Sequence, residues 1–154
     1  MRIRILTTQL VVAAMLGGIT GLAAADPPIA RISINAVAAL SHDRLNITVS
    51  GSCTCGPLPQ PQPPYLGASF ASVSGSVDQA SGREVIQGQL FFEPNCDGLE
   101  HTFEVAVPAS ITPWHGGLAR VRAMITVQRC DPFFDCEQAT GTVDAQIKVR
   151  GGQE

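Results

Sequence analysis

The sequence predicts an all-β domain. Three observations support this prediction: apolar and polar residues alternate along most of the chain after residue 26, no segment there shows the 3.6-residue apolar period of a helix, and turn-forming residues separate the alternating segments. About seven short strands, each with one apolar and one polar face, are typical of two packed antiparallel sheets. We therefore predict a disulfide-stapled, immunoglobulin-like antiparallel β-sandwich of about seven strands, with a partly open barrel as the alternative.

The first half of this domain is predicted to contain four strands, at residues 30–40, 45–55, 65–77 and 84–92. The first strand places Ile32, Ile34 and Leu40 on one face, and the fourth places Ile86 and Leu90 inward. The third is rich in Ser, Gly and Ala, so its register is less clear. Residues 79–83 are predicted to turn the chain, and five prolines within residues 56–64 predict a stiff, extended loop.

The second half is predicted to contain three strands, at residues 101–107, 118–128 and 142–150. Phe103 and Val107 alternate with polar residues in the first of them, Val121 and Ile125 in the second, and Ile147 in the third. Residues 95–98 have the composition of a turn, and residues 113–117 are predicted to form a loop that is exposed to solvent.

The first 25 residues have the pattern of a secretory signal peptide. Arg2 and Arg4 precede a mostly apolar stretch, and three alanines at positions 23–25 end it. An uncleaved membrane anchor is the alternative, but polar residues such as Thr20 dilute the apolar run. We predict that residues 1–25 are removed, that residues 26–154 form a single secreted domain, and that this extracellular domain has no membrane contact after cleavage.

The charge of the mature chain argues against two classes of partner. Loss of Arg2 and Arg4 takes the formal net charge from −3 to −5, and Lys148 is the only lysine in the sequence. Nucleic acids and anionic lipids both require clustered cations. We therefore predict neither a nucleic-acid partner nor electrostatic docking to a membrane.

Five cysteines in an exported chain predict two disulfides and one thiol. A local Cys130–Cys136 bridge is geometrically easy, because only five residues separate the two cysteines. Cys130 lies an even number of residues after Arg120 and Arg122, so its side chain is expected to point away from the core, as theirs do. Cys96 then pairs with Cys53 or Cys55, which lie on the same apolar face. Zinc binding by these three cysteines and a histidine is the rival interpretation, but the Cys-x-Cys spacing is tighter than usual, so we predict no metal.

Three motifs carry a family resemblance that spans about residues 31–149. They are Val49-Ser50-Gly51-x-x-x-Cys55, Cys96-Asp97-Gly98-x-x-His101-x-Phe103, and Gly116-Gly117-x-Ala119-x-Val121-x-Ala123. In this order they resemble a family of small secreted bacterial β-rich domains of unknown function. The resemblance implies that Cys55 pairs with Cys96 and that Cys53 is the free thiol. It implies no activity, and the proline-rich loop and the Cys130–Cys136 loop depart from the family pattern.

A weaker resemblance is to the neocarzinostatin-type apoproteins. Those proteins are secreted, acidic, seven-stranded sandwiches with a short-loop disulfide and a cleft that holds an apolar chromophore. The similarity lies in architecture and in the Cys130-x5-Cys136 spacing. Fold alone does not establish function.

No stretch of the sequence spells out a catalytic site, so we predict no enzyme activity and no cofactor. The serines lack the Gly-x-Ser-x-Gly context, and the phosphate-binding glycine motifs are absent. His101 is interpreted as a structural histidine that bonds a backbone carbonyl or Asp97. A secreted hydrolase that uses His101 is kept as a third hypothesis.

The first hypothesis is a non-catalytic extracellular binding module whose contacts with a protein or surface partner lie on loops. The candidate contact residues are Trp114, His115, Phe133 and Phe134. The alternatives are that Trp114 caps one end of the core and that the two phenylalanines cover the end of the sheet. The second hypothesis is a carrier of a small apolar ligand. Its cleft would lie between the sheets or under the proline-rich loop. Small residues on the third strand could leave room for it or could instead allow close packing of the sheets: Gly67, Ala68, Ser69, Ala71 and Gly75.

Overall fold

The structure is a computed structural model that describes residues 27–58, 69–130 and 135–151. Within these residues the protein is all-β, with eight strands and no helix. The strands are β1 (Ile29–Ile34), β2 (Val37–Leu40), β3 (Asn46–Gly56), β4 (Phe70–Ser81), β5 (Glu84–Phe92), β6 (Glu100–Pro108), β7 (Gly117–Cys130) and β8 (Cys136–Gly151). The predicted signal peptide and most of the predicted proline-rich loop lie outside the described residues.

Hydrogen bonds join the eight described strands into one sheet. The order along it is β1-β3-β2-β8-β7-β4-β5, and β6 pairs with β3. Some residues of β3 pair both with β6 and with β1 or β2. β6 therefore lies along one edge of β3, and β1 and β2 lie along its other edge. β2 runs parallel to β8, whereas the other described pairs are antiparallel. The prediction of a purely antiparallel arrangement is therefore wrong for this pair.

The strand count differs from the predicted seven because the first predicted strand is two strands. The Asn35 N–H still donates to the Ser50 carbonyl of β3, at 2.9 Å. One residue later, the Ala36 carbonyl accepts from the Lys148 N–H of β8, at 2.8 Å. The chain thus transfers from one neighbour to another between Asn35 and Ala36, which ends β1 and begins β2.

The hairpin between β4 and β5 turns over two residues and not five. Ser81 pairs with Glu84, so only Gly82 and Arg83 lie in the turn. Gly82 has a φ of 61°, which suits the first central position of a tight hairpin turn. The predicted turn at residues 79–83 is therefore too long, and Gln79 belongs to β4.

The core lies on the predicted apolar faces of the strands. Alternate residues along β3, β4, β5, β7 and β8 are buried, as the apolar periodicity predicts. The largest fully buried aliphatic side chains are Ile47, Ile86, Leu90, Ile125 and Ile147. Because these faces are buried, the alternate side chains of the same strands point away from the core and are available for contacts.

Candidate functional site

The candidate site is the face of β5, β4, β7 and β8 that points away from the core, here called the outer face. Side chains alternate along a strand, so the residues between the buried ones form this face. The pairing register places its members side by side across the four strands. They are Val85, Gln87, Gln89 and Phe91 on β5; Phe70, Ser74, Ser76, Asp78 and Ala80 on β4; Leu118, Arg120, Arg122 and Met124 on β7; and Thr142, Asp144, Gln146 and Lys148 on β8.

An open depression of about 640 Å³ lies in the middle of the outer face. Ser74 and Ser76 of β4 line it, and larger side chains such as Gln89, Met124 and Asp144 rise on its flanks. It forms because β4 contributes small side chains between two strands that contribute long ones. The depression is open to solvent and offers hydroxyl, amide and charged groups beside apolar ones.

Ion pairs connect the strands beside this depression. Arg120 donates to Asp144 through two hydrogen bonds, with Nε–Oδ1 at 2.7 Å and Nη2–Oδ2 at 2.5 Å. Arg122 pairs with Asp78, which also accepts from the Gln87 amide at 3.2 Å. The hydrogen bonds from Arg120 hold the pKa of the Asp144 carboxyl below its usual range, and the charges of Arg120 and Arg122 add to this effect. The pairs therefore give this part of the face polarity without net charge.

Several large apolar side chains are exposed on the outer face. Phe91 is 64% exposed, Phe70 is 47% exposed and Met124 is 42% exposed. The outward face of β3 and β6, both fully described, carries serines, threonines, Glu100 and Glu104, and no large apolar side chain. The strands paired with β3 on its other edge expose smaller aliphatic groups, with Ile29 of β1 39% exposed and Val37 of β2 45% exposed. Phe91 and Met124 flank Ser74 in the pairing register, and large apolar side chains grouped on one exposed face are typical of interaction sites.

The sequence contained a signal for two of these residues, although they were not among the predicted contacts. Phe91 lies between the inward residues Leu90 and Phe92, and Met124 lies between Ala123 and Ile125. Strict alternation therefore places both residues on the outward face, where most of their neighbours along the strand are polar. A large apolar residue at such a position is the local sign of an interaction surface.

Trp114 lies in the core, which corrects its prediction as a surface contact and agrees with the alternative that it caps the core. Its side chain is 0% exposed, and its Nε1–H donates to the Val107 carbonyl at 3.0 Å. Its backbone N–H donates to the Arg44 carbonyl at 2.9 Å. An indole that is both buried and hydrogen-bonded stabilises the fold and has no surface for a partner.

His115 is held by a buried glutamine. The His115 N–H donates to Oε1 of Gln79 at 3.1 Å, and Nε2 of Gln79 donates back to the His115 carbonyl at 2.9 Å. Gln79 is 1% exposed, so both ends of its amide are satisfied inside the protein. The half-buried His115 ring lies with Nδ1 2.9 Å from the Gly116 carbonyl oxygen. The other two predicted contacts, Phe133 and Phe134, lie outside the described residues.

Both predicted disulfides are present in the structure. Cys55 of β3 is joined to Cys96 in the β5–β6 connection, as the family resemblance implies, and Cys130 is joined to Cys136. Cys53 is buried and unbridged, and burial raises the pKa of its thiol. The rival zinc interpretation requires thiolates at Cys55 and Cys96, which the disulfide consumes.

The expected orientation of Cys130 needs a correction. Its side chain is 5% exposed, although its parity predicted a side chain in solvent. Nε2 of Gln128 lies 3.3 Å from its sulfur, and Ser69 bonds to its backbone. The bridge and these neighbours cover Cys130 at the end of the sheet.

His101 bonds to Asp97, as the structural interpretation of this histidine predicts. His101 Nε2 lies 2.8 Å from Asp97 Oδ1, and the same carboxylate oxygen accepts the Leu99 N–H. The hydrogen bond to His101 lowers the pKa of Asp97, and the bond from Leu99 adds to this. Within residues 27–58, 69–130 and 135–151, no group of three or more His, Cys, Asp and Glu side chains is arranged to hold a metal ion.

The described part of the chain contains no helix that is long and apolar enough to cross a membrane. The two disulfides are compatible with an extracellular protein. No protein-family model, curated protein or solved structure matches this chain. The case for a function therefore rests on the chemistry of the outer face.

Proposed function

We propose that this protein is a secreted, non-catalytic binding module whose outer face docks an extracellular protein partner. The observation that carries the proposal is the group of exposed aromatic and methionine side chains on the outer face: Phe91, Phe70 and Met124 stand in solvent there, whereas β3 and β6 present hydroxyl and carboxylate groups. Aromatic residues and methionine are enriched at protein interfaces, where their burial supplies most of the binding free energy.

The same proposal includes a two-layer, immunoglobulin-like fold, in which β1, β3 and β6 pack on β8, β7, β4 and β5. Contacts between strands that are not paired support it. A Cβ atom added to Gly141 of β8 would lie 2.4 Å from the Ala30 carbonyl oxygen of β1. The rings of Phe92 on β5 and Phe103 on β6 have centroids 4.7 Å apart. Such approaches are expected where one layer lies over the other.

The proposed secretion rests on the leader pattern and the two disulfides together. Disulfides persist in oxidising compartments and are rare in reducing ones. The Cys55–Cys96 bridge ties the end of β3 to the loop before β6: the Gly98 N–H donates to the Cys55 carbonyl at 3.0 Å, and the Leu58 N–H donates to the Cys96 carbonyl at 3.1 Å. This staple keeps a small domain folded outside the cell.

The outer face suits a protein better than a small apolar ligand. Pockets for small ligands enclose most of the ligand surface, whereas the depression on β4 opens to solvent. The carrier hypothesis relied on small residues to leave room, but a Cβ atom at Gly75 would lie 2.3 Å from the Arg122 carbonyl oxygen. Gly75 is therefore required for the close approach of β7, so its small size is explained by strand packing without a ligand.

The proposal is tested with labelled protein and concentrated secreted and surface proteins from the producing cells. Analytical ultracentrifugation with fluorescence detection measures the fraction of label in larger complexes. Met124→Arg places a charge in the apolar part of the outer face and is expected to weaken complex formation at least about tenfold, the effect of about 1.4 kcal/mol. Glu104→Arg on β6 is the matched control and is expected to sediment like the unmodified protein.

Two results contradict this function. Equal complex formation by the Met124→Arg and unmodified proteins would remove the outer face as the docking site. Loss of complexes in the Glu104→Arg control alone would transfer the site to the face of β3 and β6.

A further inference from the structure

β5 ends the sheet and lacks the features that usually protect an edge strand. It pairs only with β4 among the described strands, and no charged residue or proline occurs between Glu84 and Glu93. Proteins usually block exposed edges with charges, prolines or bulges, because unpaired backbone groups recruit another strand. The other described strands with a single partner, β1 and β6, carry exposed charges: Arg31 on β1, and Glu100 and Glu104 on β6.

The register of the β4–β5 hairpin fixes which backbone groups of β5 face outward. Its two-residue turn makes Ser81 and Glu84 a hydrogen-bonded pair, and hydrogen-bonded pairs recur at every second residue. The N–H and C=O groups of Gln87, Gln89 and Phe91 therefore point away from β4. This edge is unpaired except where another segment covers it.

One such segment covers part of the edge. The Ser110 N–H donates to the Gln87 carbonyl at 2.9 Å, which agrees with the outward direction deduced from the register. The outward groups of Gln89 and Phe91 have no backbone partner among the described residues. By the same register Val85, next to the turn, also points outward, but only Gln89–Phe91 offers two successive outward residues without a backbone partner among the described residues. The Phe91 ring beside this open segment is 64% exposed.

We propose that the Gln89–Phe91 edge pairs with the same edge of a second copy of this chain, antiparallel about a twofold axis at Leu90. Gln89 of each copy then lies opposite Phe91 of the other, and each such pair exchanges two N–H···O=C hydrogen bonds. The strands β5, β4, β7 and β8 of the two copies then form one continuous sheet, and their outer faces lie on the same side of it. This pairing uses backbone groups at the edge and does not depend on the partner proposed for the outer face.

A second copy fits this edge because the pairing is self-complementary in hydrogen bonds, shape and charge. Each copy contributes two donors and two acceptors, so none remains unpaired in the four-bond ladder. The Phe91 ring of one copy contacts the Gln89 side chain of the other and approaches the second Phe91 ring diagonally, within the reach of aromatic residues. The register places no like charges opposite each other, although the whole chain is acidic.

Proline at position 89 tests whether the Gln89 N–H donates a hydrogen bond to the second copy. The Gln89 N–H points away from β4, so Gln89→Pro removes a donor to the second copy and costs the hairpin no ladder bond. Gln89→Ala is the matched control, because it removes the side chain and keeps the N–H. Phe91→Lys is the second variant, which places two like charges near the twofold axis and removes no backbone bond.

The measurement is sedimentation equilibrium of the protein recovered from culture medium, at about 1 µM to about 1 mM, the range in which small interfaces associate. We expect the average mass to rise toward that of a dimer for the unmodified protein and for Gln89→Ala. We expect association to weaken at least about tenfold for Gln89→Pro and for Phe91→Lys, with the melting temperature of Phe91→Lys unchanged. A monomer at every concentration, or association of Gln89→Pro and Phe91→Lys as tight as that of the unmodified protein, would overturn the proposal.

Discussion

Replacement of Trp114 by alanine tests whether this residue belongs to the core. The indole is 0% exposed, and a Cβ atom at Gly88 of β5 would lie 2.8 Å from its ring, so the ring fills the space beside that strand. Truncation of a buried tryptophan to alanine costs about 3–5 kcal/mol, because transfer free energy is lost and a cavity remains. The free energy of unfolding of a small domain is about 5–15 kcal/mol, so this loss is a large fraction of it.

Trp114→Phe separates packing from hydrogen bonding. Phenylalanine keeps an aromatic ring but lacks the Nε1–H that donates to the Val107 carbonyl at 3.0 Å. We expect a smaller loss, about 1–2 kcal/mol, from the missing bond and the reduced volume.

Guanidinium unfolding followed by far-UV circular dichroism measures both losses. Fluorescence does not serve for the variants, because Trp114 is the only tryptophan in the chain. A change in the denaturation midpoint at constant slope reports a change in stability. A loss below about 1 kcal/mol for Trp114→Ala would refute the assignment and return this residue to an exposed loop.

Three further predictions follow from the cysteines and from the loop before β6. Replacement of both Cys55 and Cys96 by alanine removes a bridge across 41 positions and is expected to lower the free energy of unfolding by about 4 kcal/mol; an unchanged denaturation midpoint would contradict this. Cys53 is buried with a raised thiol pKa, so iodoacetamide is expected to label it only in denaturant, and mass spectrometry that finds labelling of the native protein would contradict its burial. Asp97 has a pKa lowered by its hydrogen bond to His101, so its contribution to stability is complete above the unfolded-state pKa of about 3.9 and is lost as the pH falls through the lower folded-state pKa. Asp97→Asn is expected to flatten this acid dependence in urea unfolding curves, and an equally steep dependence would show that Asp97 has no part in it.

The strands could be predicted from the sequence because their apolar period is local. Val121, Ile125 and Ile147 are buried where alternation places them. The break at Asn35 could not be predicted, because no local signal shows that the chain changes neighbours from β3 to β8 there. For Trp114 the sequence left a surface contact and a core cap as alternatives, since a loop has no period that fixes the direction of its side chains.

The candidate site was predictable only in part, for the same reason. The alternation within each strand predicts that Phe91 and Met124 each point outward. That they lie near each other, on either side of Ser74, depends on the strand order β5-β4-β7. That order brings together residues distant in sequence. Gln79 shows the reverse case: its polarity and the nearby Gly82 suggested a turn, whereas hydrogen bonds to the distant His115 backbone keep it buried within β4.

Photo-cross-linking from two positions tests most directly whether the outer face is the docking surface. A benzophenone amino acid replaces either Phe91 on the outer face or Glu104 on β6, and both positions are exposed to solvent. After irradiation with secreted and surface proteins of the producing cells, we expect position 91 to yield a discrete product that joins this chain to a different protein, distinct in mass from two cross-linked copies of this chain. We expect Met124→Arg to abolish that product and position 104 to yield none. Equal products from both positions, or a product from position 104 alone, would contradict the account.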